Sequence, residues 1–172
     1  MRIVELIKKE AVVLKAEIAT KDEMIDFLID LHEKAGNVTD RDVFKDGILK
    51  REAEGPTAIT DGICIPHSKN SAVLHAGITA VTVPTGVDCG ALDGQPSNLF
   101  FMIAAPEGGA DIHLEALSRL STILIDDKFR EKLLLASTVD EFLDVINEKE
   151  TEKYGEEEKP KGFLAGLFGK KR

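Results

Sequence analysis

Residues 61–69 read Asp-Gly-Ile-Cys-Ile-Pro-His-Ser-Lys, and the rest of the chain is organised around them. The apolar run 63–65 is short, largely β-branched and bounded by turn residues, which predicts a buried strand. Pro66 lacks an N–H and has a fixed φ, so the strand is predicted to end there and the chain to turn. A strand end is a rigid base for a reactive histidine such as His67. An ordinary surface histidine after a turn fits this stretch equally well.

The length and composition describe one soluble globular domain with a possible tail. The chain has 172 residues, of which 43% are hydrophobic and 31% charged, and no apolar run approaches the ~20 residues of a membrane span. The amino terminus carries no secretory apolar region, so a cytoplasmic protein is expected. The net charge of −9 argues against a nucleic-acid partner, because phosphate backbones require basic surfaces. Cys64 and Cys89 are expected to be free thiols in a reducing compartment.

Helix and strand patterns follow one another along residues 20–149. The capping box Thr20-Lys-Asp-Glu23 begins a helix that Gly36-Asn37 ends, and a second helix is predicted from Thr39 to about Gly55. Strands are predicted at 76–84 and 98–105, the second apolar throughout as in a central strand covered on both faces. Further helices are predicted after the N-cap Asp111, over about 128–136, and over about 139–149 behind the capping box Thr138-Val-Asp-Glu141.

The composition changes near residue 149. Residues 1–149 are predicted to form the domain, and residues 150–172 a charged linker followed by an apolar and basic tail, flexible as a whole. The end of the tail, 162–172, could lie on a membrane, dock on the domain, or begin the next part of a longer protein.

Three polar residues, Arg51, His67 and His113, stand at predicted ends of elements and could act together. Phosphoryl transfer needs a neutral nucleophile, which imidazole supplies near neutral pH, and cations or N–H donors for the phosphate oxygens. Arg51 occupies the inward stripe of its helix, where it must snorkel to water or meet an anion. His113 lies in the first turn of a helix, which attracts anions. Each residue alone also fits a packing role. The other histidines, His32 and His75, are predicted to be solvated.

Two rival chemistries are weakly supported. Cys64 and His67 have C-x2-H spacing, but no second ligand pair accompanies them, so no metal is expected. A serine hydrolase is disfavoured because the chain lacks a G-x-S-x-G elbow. No cofactor is expected either.

Several spaced motifs give the chain a family resemblance over about residues 1–149. They are Arg51-Glu-x-x-Gly55-x-Thr57, Gly62-Ile-x-Ile-Pro-His67, Leu92-Asp-Gly-Gln-Pro96, Ile103-Ala-Ala-Pro106 and His113-Leu-x-x-Leu117. Together they resemble the fructose/mannitol-type IIA domain of the bacterial phosphoenolpyruvate-dependent sugar phosphotransferase system. The residues within the motifs resemble the fructose branch more than the mannitol branch. The resemblance implies an α/β single domain with a mixed, mostly parallel β-sheet flanked by helices on both faces.

The resemblance also implies a phosphotransferase activity. His67 would accept a phosphoryl group from the phosphocarrier protein HPr and donate it to a cysteine of a fructose-type IIB domain, with His113 and Arg51 beside the phosphohistidine. The membrane would be involved only indirectly, through the IIC permease. A nitrogen-type IIA protein, whose phosphorylation controls binding to target proteins, shares the histidine motif and is the alternative.

Overall fold

The computed structural model describes residues 1–108 and 111–155. Within them lies a five-stranded sheet in the order β1-β4-β5-β2, in which β3 also pairs with β5. The β4–β5 pair is antiparallel and the other three pairs of the sheet are parallel, so the predicted mixed, mostly parallel sheet is confirmed. The strands are β1 (Val12–Val13), β2 (Ile63–Cys64), β3 (His67–Asn70), β4 (Gly77–Val87) and β5 (Ser97–Pro106).

Helices cover both faces of this sheet. Helices α1 and α2 pack on one face, and α3, α4 and α5 pack on the other together with a short 3-10 turn at 3–6; a second 3-10 turn at 9–11 contacts α1 and β4. The single-domain α/β architecture is therefore the predicted one. The helices are α1 (Lys21–Lys34), α2 (Arg41–Ala53), α3 (Ile112–Ile123), α4 (Asp127–Leu135) and α5 (Val139–Tyr154).

The central strand β5 supplies apolar side chains to both layers. Alternate residues point to opposite faces of a sheet. One set packs under α3–α5 and the other under α1 and α2, which explains the continuous apolar run that predicted a strand covered on both faces. The first set is Leu99, Phe101 and Ile103, and the second is Phe100, Met102 and Ala104.

The strand before His67 differs from the prediction. Strand β2 ends at Cys64, and pairing with β5 resumes at His67 in the same register, since Cys64 lies opposite Phe100 and His67 opposite Ile103. His67 therefore begins a strand instead of following the end of one. Between the two strands, the Ile65 N–H bonds to Thr57 O (3.1 Å) and Pro66 has no N–H, while Pro66 O still accepts a hydrogen bond from Ile103 N of β5 (2.9 Å).

Helix α2 begins at Arg41, two residues after the predicted start at Thr39. Asp40, not Thr39, is the N-cap, and its carboxylate accepts hydrogen bonds from Asp42 N (3.1 Å) and Val43 N (3.2 Å). The backbone N–H and the hydroxyl of Thr39 both bond to Ala72 O, so Thr39 is engaged with the connection between β3 and β4. The predicted capping box of α1, between Thr20 and Glu23, is present.

The prediction that His32 is solvated is wrong, because its ring is fully buried between α1 and the sheet. Its Nε2–H donates to Met102 O (3.0 Å), and its Nδ1 accepts from the Asn37 amide (3.1 Å). Burial lowers the pKa of His32 from 6.5 to about 4, so the ring is neutral at physiological pH. His75 is exposed, as predicted.

Helix α5 runs to Tyr154, so its predicted end at Lys149 is wrong. The reason is Glu150, which is buried against the amino terminus. Its carboxylate accepts hydrogen bonds from Ile3 N (2.7 Å) and Val4 N (2.9 Å) and lies 3.9 Å from Arg2 Nε. A segment that reads locally as charged linker is thus part of the packed domain.

Arg2 completes this contact, which we call the terminal clamp (Arg2 with Asn147, Glu150, Thr151 and Gly155). Its guanidinium donates to Asn147 Oδ1 (2.6 Å), Thr151 Oγ1 (3.0 Å) and Gly155 O (3.2 Å). A domain boundary at 149 would cut the terminal clamp, so the packed part of the domain extends at least to Gly155. The expectations for the tail beyond it lie outside the described residues. Within 1–108 and 111–155, no helix is both long and apolar enough to cross a membrane.

Candidate active site

The structure brings Arg51, His67 and His113 to one cleft of about 540 Å3. The cleft lies between one face of α2, strand β3 and the start of α3, and each of these three elements contributes one of these residues. The lining is mostly polar, with cations and carboxylates both present. The charged lining residues are Asp46, Lys50, Arg51, Glu54, Lys69 and Glu107.

His67 is held by one ring nitrogen. Its Nδ1 lies 2.9 Å from Ile65 O. A carbonyl oxygen can only accept a hydrogen bond, so Nδ1 carries the proton and Nε2 carries the free lone pair. Pro66, between the two residues, helps to fix the turn that brings the ring back over the carbonyl. The nucleophilic nitrogen of a neutral His67 is therefore Nε2.

Arg51 lies in the last turn of α2, and its Nη1 donates to Gly55 O (2.9 Å). This bond anchors one arm of the guanidinium at the end of the helix. Gly55 has φ +150°, a conformation that few other residues adopt. Arg51 and His67 also border a smaller, more apolar pocket of about 170 Å3, so the arginine lies along one flank of the histidine.

His113 lies in the first turn of α3 and lines the same cleft. Its pKa is lowered from 6.5 by burial and by the positive charge of Lys69, partly offset by the carboxylate of Asp111. Its Nδ1 is buried and has no hydrogen-bond partner among the described residues. A neutral ring with an uncommitted nitrogen can turn to donate to a group bound in the cleft.

The packing of α2 on β3 depends on Gly47, in the interior of the helix. A Cβ on Gly47 would lie 2.4 Å from Asn70 Nδ2 and 2.4 Å from Ser68 Oγ. The absence of a side chain lets the helix approach the strand closely, which sets the distance between Arg51 and His67. A glycine in the interior of a predicted helix was the available signal.

Lys69 is a cleft residue to which the sequence analysis assigned no role. Side chains alternate along β3, with Ser68 and Asn70 buried and His67 and Lys69 half-buried on the other side. Lys69 therefore faces the same cleft as His67. Alternation could have shown this, had residues 67–70 been recognised as a strand.

The two cysteines lie away from the cleft lining, and both are buried free thiols. Cys64 packs in the layer under α1 and α2, and its pKa is raised by its contact with the Cys89 thiol and by burial. Among the described residues, no group of three or more His, Cys, Asp or Glu side chains could hold a metal ion.

Comparison with known families identifies the class of protein. The family model described as "Phosphoenolpyruvate-dependent sugar phosphotransferase system, EIIA 2" matches residues 5–149. The chain belongs to this family. The resemblance inferred from the spaced motifs is thereby confirmed.

Two curated relatives are fructose-specific components. The chain is 44% identical over 148 residues to the PTS system fructose-specific EIIABC component of Bacillus subtilis, covering 86% of this chain and 23% of the relative. It is 41% identical over 139 residues to the fructose-specific EIIA component of Haloferax volcanii, covering 81% of this chain and 90% of the relative. The chain thus spans about a quarter of the first protein and most of the second.

Solved structures share the fold. The nitrogen regulatory protein IIA-Ntr from Neisseria meningitidis superposes with a TM-score of 0.78 at 26% identity, covering 84% of this chain and 98% of that protein. The mannitol IIA enzyme of Escherichia coli, solved in complex with phosphorylated mannitol IIB, superposes with a TM-score of 0.72 at 28% identity, covering 83% and 99%.

Proposed function

We propose that this chain is a phosphoryl carrier of the sugar phosphotransferase system, in its fructose branch, and that His67 is the residue phosphorylated. The observation that carries the assignment of His67 is the hydrogen bond from its Nδ1–H to Ile65 O. It fixes the neutral tautomer and leaves Nε2 as the nucleophile in a cleft that also contains Arg51 and His113. The fructose branch is supported by the two fructose-specific relatives at 44% and 41% identity.

The transfer needs little apart from positioning and charge. The Nε2 lone pair of His67 forms a bond to phosphorus while the phosphorus–nitrogen bond of the donor phosphohistidine breaks and returns its electron pair to the donor ring. The proton on Nδ1 stays with the hydrogen bond to Ile65 O, so no base is required. In the second step, a cysteine thiolate of the acceptor attacks phosphorus and His67 regains its lone pair.

Arg51 and His113 would stabilise the phosphoryl oxygens, since both line the cleft with His67. Within residues 1–108 and 111–155, the Arg51 side chain makes one hydrogen bond, to Gly55 O, and guanidinium groups bind phosphate through charge-assisted pairs. The lowered pKa of His113 favours a neutral ring, which can donate one N–H to an oxygen without repelling Arg51.

The partners follow from this chemistry and from the relatives. We assign the phosphocarrier protein HPr as donor and a IIB domain as acceptor, both met in the cytoplasm, with the membrane reached only through a IIC permease. The Escherichia coli mannitol IIA protein, solved in complex with phosphorylated IIB, supports the IIB assignment.

The decisive experiment is phosphorylation of the purified chain by phosphoenolpyruvate, enzyme I and HPr. The wild-type protein should acquire an acid-labile phosphate, and His67→Ala should acquire none while it keeps its melting temperature. His75→Ala, at an exposed histidine outside the cleft, is the matched control and should label fully. Undiminished labelling of His67→Ala would exclude His67 as the acceptor.

Two further variants test the proposed roles of His113 and Arg51. His113→Ala should accept phosphate but pass it to a IIB domain about 10²–10³ times more slowly, since one oriented donor is lost. Arg51→Lys should also be slow, because lysine keeps the charge but loses the planar fork. Wild-type transfer rates in either variant would reduce that residue to a packing role.

A nitrogen-type regulatory protein is the second candidate, supported by the likeness to the Neisseria meningitidis protein. The two are separated by the fate of the phosphoryl group. Rapid transfer from phosphorylated His67 to a fructose-type IIB domain supports transport, whereas failure to transfer to any IIB domain tested supports regulation.

A further inference from the structure

Lys69 stands in the cleft on the same side of β3 as His67. The burial of successive residues along the strand alternates, so the two half-buried side chains, His67 and Lys69, share a face while Ser68 and Asn70 are buried. Residues two apart on a strand are separated by about 6.6 Å, a span that the flexible four-carbon stem of lysine can cross. Lys69 and His67 both also lie close enough to His113 to lower its pKa.

In the structure, Lys69 is paired with Asp111, the residue before α3. Its Nζ lies 3.1 Å from Asp111 Oδ1. The sequence predicts Asp111 as an N-cap, yet its side chain makes no capping bond and its backbone (φ −81°, ψ 59°) is not extended. By contrast, the carboxylate of Asp40 caps α2 with two bonds. The carboxylate of Asp111 is thus committed to Lys69 instead of to its own helix.

This pair is weakly held. The Lys69 and Asp111 side chains are 30% and 67% exposed, and ion pairs so open to water contribute little because both charges remain hydrated. A phosphoryl group on His67 would bring nearly two negative charges into the same cleft. Such an anion competes directly with the single charge of Asp111 for the ammonium group.

We propose that Lys69 is a phosphoryl-binding residue that exchanges partners during the reaction, from Asp111 in the resting protein to the phosphoryl oxygens when His67 is phosphorylated. Lys69 transfers no proton, since only its hydrogen bonds change. Asp111 is released beside the first-turn N–H groups of α3, which its carboxylate can then cap. Asp111 is a positioning residue that acts through Lys69. The inference rests on the proposed function of His67.

The first test measures how strongly the full chain holds the phosphoryl group. Lys69→Gln, Lys69→Arg and the distant control Lys132→Gln are equilibrated with a fixed ratio of phosphorylated to free HPr. The ratio of phosphorylated to free protein should fall about ten- to a hundredfold in Lys69→Gln, the range expected for one hydrogen bond to a charged group. Lys69→Arg should recover most of the loss, and Lys132→Gln should match the wild type.

The second test uses Asp111→Asn, which keeps N-cap propensity but removes the competing charge. The phosphorylated fraction should rise, opposite in sign to the effect of Lys69→Gln, and loss of stability cannot explain a gain. In the double variant the Asp111→Asn effect should shrink, because most of it passes through Lys69.

The outcomes separate this inference from the function on which it rests. If the wild-type chain gains no phosphate on His67, the proposed function fails. If the wild-type chain is phosphorylated and Lys69→Gln reaches the same phosphorylated fraction, the function stands and the role of Lys69 is refuted. An Asp111→Asn effect of equal size with and without Lys69 would show that Asp111 acts by direct repulsion, which refutes the exchange.

Discussion

Two ion pairs of the molecule, Arg2–Glu150 and Lys69–Asp111, have similar chemistry but different burial. In the terminal clamp, Arg2 and Glu150 are 3% and 0% exposed and are surrounded by further hydrogen bonds. In the cleft, Lys69 and Asp111 are 30% and 67% exposed and make one contact with each other. A buried charge that loses its partner cannot be rehydrated, whereas an exposed one is rehydrated at once. The first pair therefore holds the fold, and the second is free to exchange.

Breaking the terminal clamp should have the largest effect on stability. Glu150→Ala leaves the buried charge of Arg2 without its counter-charge and the N–H groups of Ile3 and Val4 without their acceptor, so the free energy of unfolding should fall by about 3–5 kcal/mol. Chemical denaturation measures this change, and Glu148→Ala, at an exposed site on the same helix, is the control. A loss under about 1 kcal/mol would mean that the pair is no more important than a surface pair.

Shortening the chain at its carboxyl end tests the terminal clamp in a second way. A chain ending at Gly155 should melt like the full-length protein, while a chain ending at Lys149 lacks Glu150 and Thr151 and should melt far lower. Equal melting of the two truncated chains would restore a boundary at 149.

The next largest effect on stability is expected at low pH, from the buried His32. The folded pKa of His32, about 4, lies below its ordinary value of 6.5, so the unfolded chain takes up the proton first as the pH falls. The free energy of unfolding that depends on neutral His32 is fully present above pH 6.5. It decreases by roughly 3 kcal/mol as the pH falls from 6.5 to 4.

The measurement compares denaturation midpoints between pH 7 and pH 4 for the wild type, His32→Gln and His75→Gln. The His32 variant should lose part of the pH dependence, and the exposed His75 variant should keep all of it. Identical slopes in all three proteins would show that His32 is not held neutral.

A smaller effect is expected where α2 meets β3. Glycine to alanine in a helix interior normally stabilises, but in Gly47→Ala the new Cβ collides with Asn70, whose amide is fixed by bonds to Val43 O (3.1 Å) and Ala72 N (2.8 Å). We expect a loss of about 1–3 kcal/mol and slower phosphorylation, since Arg51 lies one turn further along. A raised melting temperature would show that α2 can move aside freely.

The exposed pair should matter least for stability. Lys69→Gln and Asp111→Asn should each change the free energy of unfolding by less than about 1 kcal/mol, although both are expected to change phosphoryl binding. Thermal melts of the variants used in the exchange experiment provide the measurement. A loss comparable to that of Glu150→Ala would erase the contrast between the two pairs.

Local patterns in the sequence were sufficient for most of the architecture. The capping box at Thr20, the apolar periodicity of the helices and the continuous apolar run of β5 each describe interactions between near neighbours, and the corresponding elements are present. The spaced motifs around Arg51, His67 and His113 likewise predicted the family, because several short patterns in a fixed order rarely agree by chance.

The sequence by itself thus determined the helices and strands, the family, and three residues that share a cleft. The tertiary structure alone decided that Glu150 is buried, since its partners are 146 and 147 residues away, and that His32 is neutral, since Met102 lies 70 residues away. It also decided that His67 begins a strand, which turns Lys69 toward the cleft. Burial and strand pairing depend on chain segments that meet only after folding, so no local pattern of residues records them.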